Sequence, residues 1–136
     1  MTAMEILNKM VSQGVTCFLA TTEDGRPRVR PMATSLVEEG SLFFASGKSS
    51  DKMRQIAANP EVECCYMNKD WTHVRARGRA ELLDNPAVKS AVWEAVPQLS
   101  QYFESADSPE FGLIRVELTE VLSMAVEERE YRSLAM

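Results

Sequence analysis

EVECCYM (Glu61–Met67) and THVRARGRAELL (Thr72–Leu83) alternate in character with a period of two, the spacing that sends successive side chains to opposite faces of a strand. In the second segment Val74, Ala76, Gly78 and Ala80 share one face, and His73, Arg75, Arg77 and Arg79 share the other. In the first, Val62, Cys64 and Tyr66 oppose Glu61, Glu63, Cys65 and Met67. Apolar faces meet only when odd-numbered residues lie opposite odd-numbered ones, because a slip of one position would turn every core residue outward. The reading therefore predicts a hairpin with a loop of odd length at Lys69-Asp70-Trp71, Glu63 opposite Arg77 and Glu61 opposite Arg79. The opposing glutamates neutralise two of the three arginines at the surface, so this stripe is read as structural and not as an anion site.

Working outward, Val15–Thr22 is a strand rich in apolar and β-branched residues, and the Asp24-Gly25 step turns it into a second strand over about Arg28–Glu38. Glu39-Gly40 leads into a third, Ser41–Ser46, giving a predicted three-stranded meander. Thr2 and Glu5 form a capping box for a short N-terminal helix ended by Gly14. A second helix follows Lys48-Ser49-Ser50-Asp51-Lys52 and stops at Asn59-Pro60, and a third begins at Asp84 or Asn85, with Pro86 in its first turn. A last strand, about Leu113–Val126, precedes a charged tail. Six strands with short helices between them indicate a mainly β domain, a small closed or split barrel with a sandwich as the competing architecture. One domain spanning residues 1–136 is expected.

Composition narrows the function. A net charge of -5 is the wrong sign for a nucleic-acid binder or a protein held on anionic lipid. No run approaches the roughly 20 apolar residues of a membrane span, and the N-terminus lacks the pattern of a signal peptide, so a cytoplasmic location is expected. Cys17, Cys64 and Cys65 are an odd set without Cys-x-x-Cys spacing, and His73 is the one histidine, which disfavours disulfides and a structural metal. A lone strand histidine without a nucleophile elbow also makes a poor hydrolase.

Two basic clusters remain. Arg28 and Arg30 project from one face of their strand with no alternating acid, and no internal partner is evident. At Lys48–Lys52, free N–H groups of a helix start, serine hydroxyls and lysines combine into what a terminal phosphate requires. Ser50 acting only as a helix cap is the plainer alternative.

In their order, Phe18-Leu19-Ala20-Thr21-Thr22, Gly25-Arg26-Pro27, Arg28-Val29-Arg30-Pro31-Met32, Lys48-Ser49-Ser50-Asp51-Lys52, Asn59-Pro60 and Gly78-Arg79-Ala80-Glu81 resemble the pyridoxamine 5'-phosphate oxidase-like family, in particular its small general-stress-protein branch. The resemblance runs from about Val15 to Leu83. It implies a six-stranded split barrel that dimerises with itself and binds FMN in clefts between subunits. It implies, further, that Arg28, Val29, Arg30, Pro31 and Met32 run beside the flavin, that Ala45 and Ser46 touch it, and that Ser49, Ser50 and Lys52 hold its phosphate. His73 stands where the vitamin-oxidising members carry a flavin-contacting glutamine. Asp51 replaces a basic phosphate ligand of those oxidases, Ala33 replaces a lysine, and their C-terminal arginine-and-histidine motif has no counterpart. Oxidation of pyridoxamine phosphate is therefore not the expected activity. An FMN-dependent oxidoreductase acting on a small molecule is, with a non-catalytic flavin-binding or stress-related protein, or a deazaflavin- or haem-binding member, as alternatives.

Overall fold

In a computed structural model that describes residues 1–136, the chain forms one antiparallel sheet flanked by three short helices. The strands are β1 (Cys17–Glu23), β2 (Arg26–Met32), β3 (Leu36–Glu38), β4 (Ser41–Gly47), β5 (Glu61–Met67), β6 (His73–Leu83), β7 (Phe111–Met124) and β8 (Arg132–Ser133). The helices are α1 (Ala3–Ser12), α2 (Asp51–Ala58) and α3 (Pro86–Ala95), the last followed by a 3-10 turn at Pro97–Gln101. The strand order is β2-β1-β5-β6-β7-β4-β3, with β8 added to β7. No helix is long and apolar enough to cross a membrane.

The ends of this order explain the shape. β2 and β3 lie at opposite edges of the sheet, yet only Ala33, Thr34 and Ser35 separate them in sequence. Met32 and Leu36 are thus four residue steps apart and can be separated by about 14 Å at most, so the sheet must curl until its edges come close. The expected meander of three strands is thereby corrected. The long second strand breaks at Ala33–Ser35, where the chain leaves β1 and joins β4 through β3. Sequence alternation could not reveal this break because no glycine or buried charge marks it. The other expected strands are present, and the short β3 and the two-residue β8 within the charged tail add to them.

The β5–β6 register has Glu61 opposite Arg79 and Glu63 opposite Arg77, as the apolar faces require. A backbone hydrogen bond from Asn68 N–H to the Thr72 carbonyl, 3.0 Å, leaves Lys69-Asp70-Trp71 at the tip. All three arginines are paired: Arg79 with Glu61, Arg75 diagonally with Glu63, and Arg77 with Glu120 from β7.

The inward residues form the core, including Leu19, Leu42, Phe44, Val62, Cys64, Tyr66, Val74, Val116 and Val121. α1 closes one end with Ala3, Leu7 and Met10, its start capped reciprocally by Thr2 and Glu5. A smaller cluster of Val92, Leu99, Phe111 and Leu113 seats α3 and the 3-10 turn outside the barrel. The Ser123 hydroxyl is buried without a hydrogen-bond partner, which penalises the folded state by the desolvation of that group. Ser123→Ala is accordingly expected to stabilise the chain by about 1 kcal/mol, read as a raised urea midpoint.

Candidate functional site

The seam where the sheet edges approach is also a cleft of about 640 Å³, walled by Pro31–Ser35, Ala45–Gly47, Lys52 and the residues around the 3-10 turn. Beyond Lys52 a second open cleft runs along Glu23, Pro27–Arg30, Asp51 and Gln55. Lys52 lines both. The strand break at Ala33–Ser35 lines the first cleft, and the first turn of α2 reaches it through Lys52 because β4, which ends at Gly47, delivers the chain there.

Lys52 donates to Ser46 Oγ at 2.9 Å, and Ser46 Oγ lies 3.0 Å from Ser50 Oγ. Ser50 occupies the capping position of α2, yet its side chain makes no capping hydrogen bond. The plainer reading of Ser50 as a cap is thus not what its side chain does. The first turn of α2 keeps N–H groups without a side-chain acceptor, at the positive end of the helix dipole.

Arg30 is tied down differently from expectation. Its guanidinium donates to Thr21 Oγ1 at 2.8 Å, to Gln55 Oε1 at 2.7 Å and to the Leu19 carbonyl at 3.3 Å. Thr21 and Gln55 are buried, which holds the group rigidly. All three acceptors are neutral, so the charge of Arg30 remains uncompensated by any direct ion pair. Arg28, in contrast, is paired with Glu23 at 3.2 Å, a residue shared with Arg54 of α2. The expectation that neither arginine has an internal partner is therefore corrected for both. The β1–β2 hairpin sets Thr21 opposite Arg28 and Leu19 opposite Arg30, which aims both side chains toward α2. Thr21 and Gln55 were missed as supports. Thr21 shares a face with Leu19 at period two, and that inward polar residue was the available signal.

Electrostatics single out Lys52 and Arg30. Burial lowers the pKa of Lys52, repulsion from Arg30 lowers it further, and Asp51 only partly opposes this. Burial likewise lowers Arg30. Two half-buried cations that repel each other and have no carboxylate in ion-pair contact, Asp51 opposing their shifts only in part, favour an anion beside them.

The remaining predicted residues scatter. Pro31, Met32, Ala45 and Ser46 line the first cleft with Lys52, and Arg28 and Val29 line the second. Ser49 turns away: its backbone N–H and hydroxyl donate to Glu110 Oε1 at 2.9 and 2.6 Å, and these bonds hold the Glu110 carboxyl below its usual pKa. His73 sits on the outer face of β6, its Nε2 2.8 Å from the Tyr131 hydroxyl. Met32 leads through Cys17 and Tyr66 to Val74, so His73 is about three strand spacings, roughly 14 Å, from the cleft of its own chain. No group of three or more metal-ligating side chains is present.

Pro31, Phe18 and Cys65 face outward in one row across β2, β1 and β5, with Val29 and Met67 adjoining. Val29 and Phe18 are 68% and 48% exposed, an apolar surface beside the second cleft.

The family described as pyridoxamine 5'-phosphate oxidase like matches residues 2–123. No curated protein matches the chain. Among solved structures, a NimC/NimA family protein of Clostridium acetobutylicum is 28% identical, with 98% of this chain and 92% of that one covered and a TM-score of 0.86. General stress protein 26 of Bacillus anthracis is 21% identical over 98% of this chain and 100% of its own, with a TM-score of 0.80. An FAD-binding protein of Mesorhizobium loti is 22% identical over 90% of this chain and 93% of that chain, with a TM-score of 0.71.

Proposed function

Since the chain belongs to the pyridoxamine 5'-phosphate oxidase-like family, whose split-barrel fold it has, we propose that it is an FMN-binding oxidoreductase acting on a small molecule. The observation that carries this reading is the half-buried Lys52 and Arg30, cationic and outside any direct ion pair: Lys52 lines a cleft large enough for a ring system, and both line the open cleft beside it. A phosphate monoester supplies the missing negative charge. It also takes hydrogen bonds from Lys52 and from the first turn of α2.

Bound FMN supplies hydride and electron transfer. Arg30 acts as a fixed positive charge, locked by Thr21 and Gln55, so little reorganisation accompanies anion binding. Ser46 and Ser50 orient the Lys52 ammonium. Pro31–Thr34 and Ala45 form the wall along which the ring is held, and their side chains bring no charge to it. The FAD-binding relative of the same fold supports a flavin as the ligand class.

The reading includes a homodimer through the outer apolar face, since an uncovered patch of this kind marks an association surface. His73 then contributes across that interface and not to the cleft of its own chain. Phe18→Glu is expected to shift the protein to monomers in sedimentation velocity, and an unchanged dimer would place the contact elsewhere.

The deciding experiment is absorbance and mass spectrometry of the ligand that co-purifies, followed by reconstitution with FMN. A yellow protein bleached by a nicotinamide donor and recoloured by an acceptor supports the oxidoreductase reading. Colour without bleaching leaves a flavin-binding protein. A haem or deazaflavin spectrum, or no uptake of FMN, rejects it.

A further inference from the structure

The cleft has two unlike halves. One part of the lining holds Lys52 and Ser46; another comes from the segment around the 3-10 turn and consists of Val96, Gln98, Leu99, Tyr102 and Phe103. Lys52 is the sole charged residue of the lining. This rests on the flavin reading, in which the phosphate neutralises Lys52. What remains of the cleft then offers apolar and aromatic surface, the hydroxyl residues Thr34 and Ser35, one side-chain amide and no counter-charge.

The wall is built to stay in place. Leu99 is buried in the small cluster with Val92, Phe111 and Leu113. Phe103 packs on Phe111 with ring centroids 5.1 Å apart, and Phe111 is fully buried. Backbone hydrogen bonds from Tyr102 and Phe103 to the Leu99 carbonyl, both 3.0 Å, fix the turn. Tyr102 itself is 75% exposed, and its side chain stacks on no other ring. A large aromatic side chain held on a rigid turn at the mouth of a cleft has a face free for a ligand. An anionic substrate would meet no positive group there and would lose hydration without return.

We propose that the turn around Leu99–Phe103 is the specificity-determining wall of the site, that Tyr102 stacks on the substrate, and that the substrate class is an uncharged, flat aromatic molecule and not a phosphorylated or carboxylated one. Gln98 provides the one amide able to hydrogen-bond a ring carbonyl or nitrogen.

The test is isothermal titration calorimetry on the FMN-loaded protein with two probes of like ring system, menadione, which is uncharged, and a naphthoquinone sulfonate, which is anionic. Menadione is expected to bind at least about tenfold more tightly, and Tyr102→Ala to weaken it by about tenfold. The affinity for FMN, measured separately by fluorescence quenching, stays unchanged in that variant. Gln98→Lys is expected to improve binding of the sulfonate, which shows that the wall and not the fold sets the preference. Equal or tighter binding of the sulfonate to the unaltered protein, or menadione affinity indifferent to Tyr102→Ala, overturns the proposal. Failure to take up FMN instead rejects the flavin reading. The wall is then judged on the cofactor-free chain, where loss of menadione binding in Tyr102→Ala upholds it and unaltered binding refutes it.

Discussion

Lys52→Ala is expected to reduce the affinity for FMN by about 100-fold while leaving riboflavin, which lacks the phosphate, within about twofold of its original affinity. A charge-assisted hydrogen bond to a phosphate contributes about 1.5 to 3 kcal/mol, which spans roughly tenfold to 150-fold in affinity. The upper part of that range applies because Lys52 is half-buried and has no carboxylate in direct ion-pair contact, Asp51 acting on it only from farther away. Lys52 works with Arg30, so their effects are not expected to add. The pH dependence carries the same signature. Burial already lowers the Lys52 pKa in the free protein, and a bound phosphate raises it again. FMN affinity is therefore complete below the lowered pKa and falls as pH rises through it, beginning under the ordinary lysine range. Lys52→Arg should abolish that alkaline loss, since arginine stays charged. Equal losses for FMN and riboflavin in Lys52→Ala would place the phosphate elsewhere.

Gly78→Ala is expected to destabilise the chain by about 3 kcal/mol or more, with lower yield of folded protein. A Cβ at this position would lie 2.2 Å from the Glu117 carbonyl oxygen and 2.9 Å from its carbon. Both are backbone atoms of the neighbouring strand and cannot swing aside as a side chain would. The crowding arises where the β6–β7 ladder shifts register between Arg77 and Gly78. Arg77 lies opposite Glu120 and Gly78 opposite Leu118, so Thr119 is the extra residue of a bulge, and its hydroxyl donates to the Arg77 carbonyl at 3.2 Å. Such a bulge bends β7 and sharpens the local twist, which a sheet curling to bring its edges together requires. Chemical denaturation of Gly78→Ala measures the effect; a loss below about 1 kcal/mol would mean that the bulge relaxes without consequence.

Much of the barrel was legible because period-two alternation reports burial directly. Val62, Cys64 and Tyr66 against Val74, Ala76 and Gly78 specify one register, and it is the observed one. The capping box at Thr2 and the proline at the start of α3 act within a few residues of themselves, so their structural meaning is local. The break at Ala33–Ser35 was invisible for the opposite reason. Those residues are compatible with an extended strand, and the chain leaves β1 there only because β3 finds a partner in β4.

The candidate site divides in the same way. Lys52, Ser50 and Ser46 lie close together in the chain, and their meeting follows from one strand handing over to one helix. The fate of Arg28 and Arg30 required partners that sequence spacing does not bring near, namely Glu23 across a hairpin and Gln55 from a helix 25 residues away. Ser49 was assigned by its neighbours in the chain, yet Glu110, 61 residues on, holds it.

By itself, then, the sequence determined the helices and most of the strands, the inward and outward faces and a concentration of serine hydroxyls and lysines at a helix start, because each rests on short-range periodicity or on neighbours along the chain. Only the tertiary structure decided which cations stay uncompensated, where the cleft opens and which aromatic wall faces it. Those depend on the curling of the sheet and on contacts between distant segments, whose pairing energies exist only once the edges at β2 and β3 have been brought together.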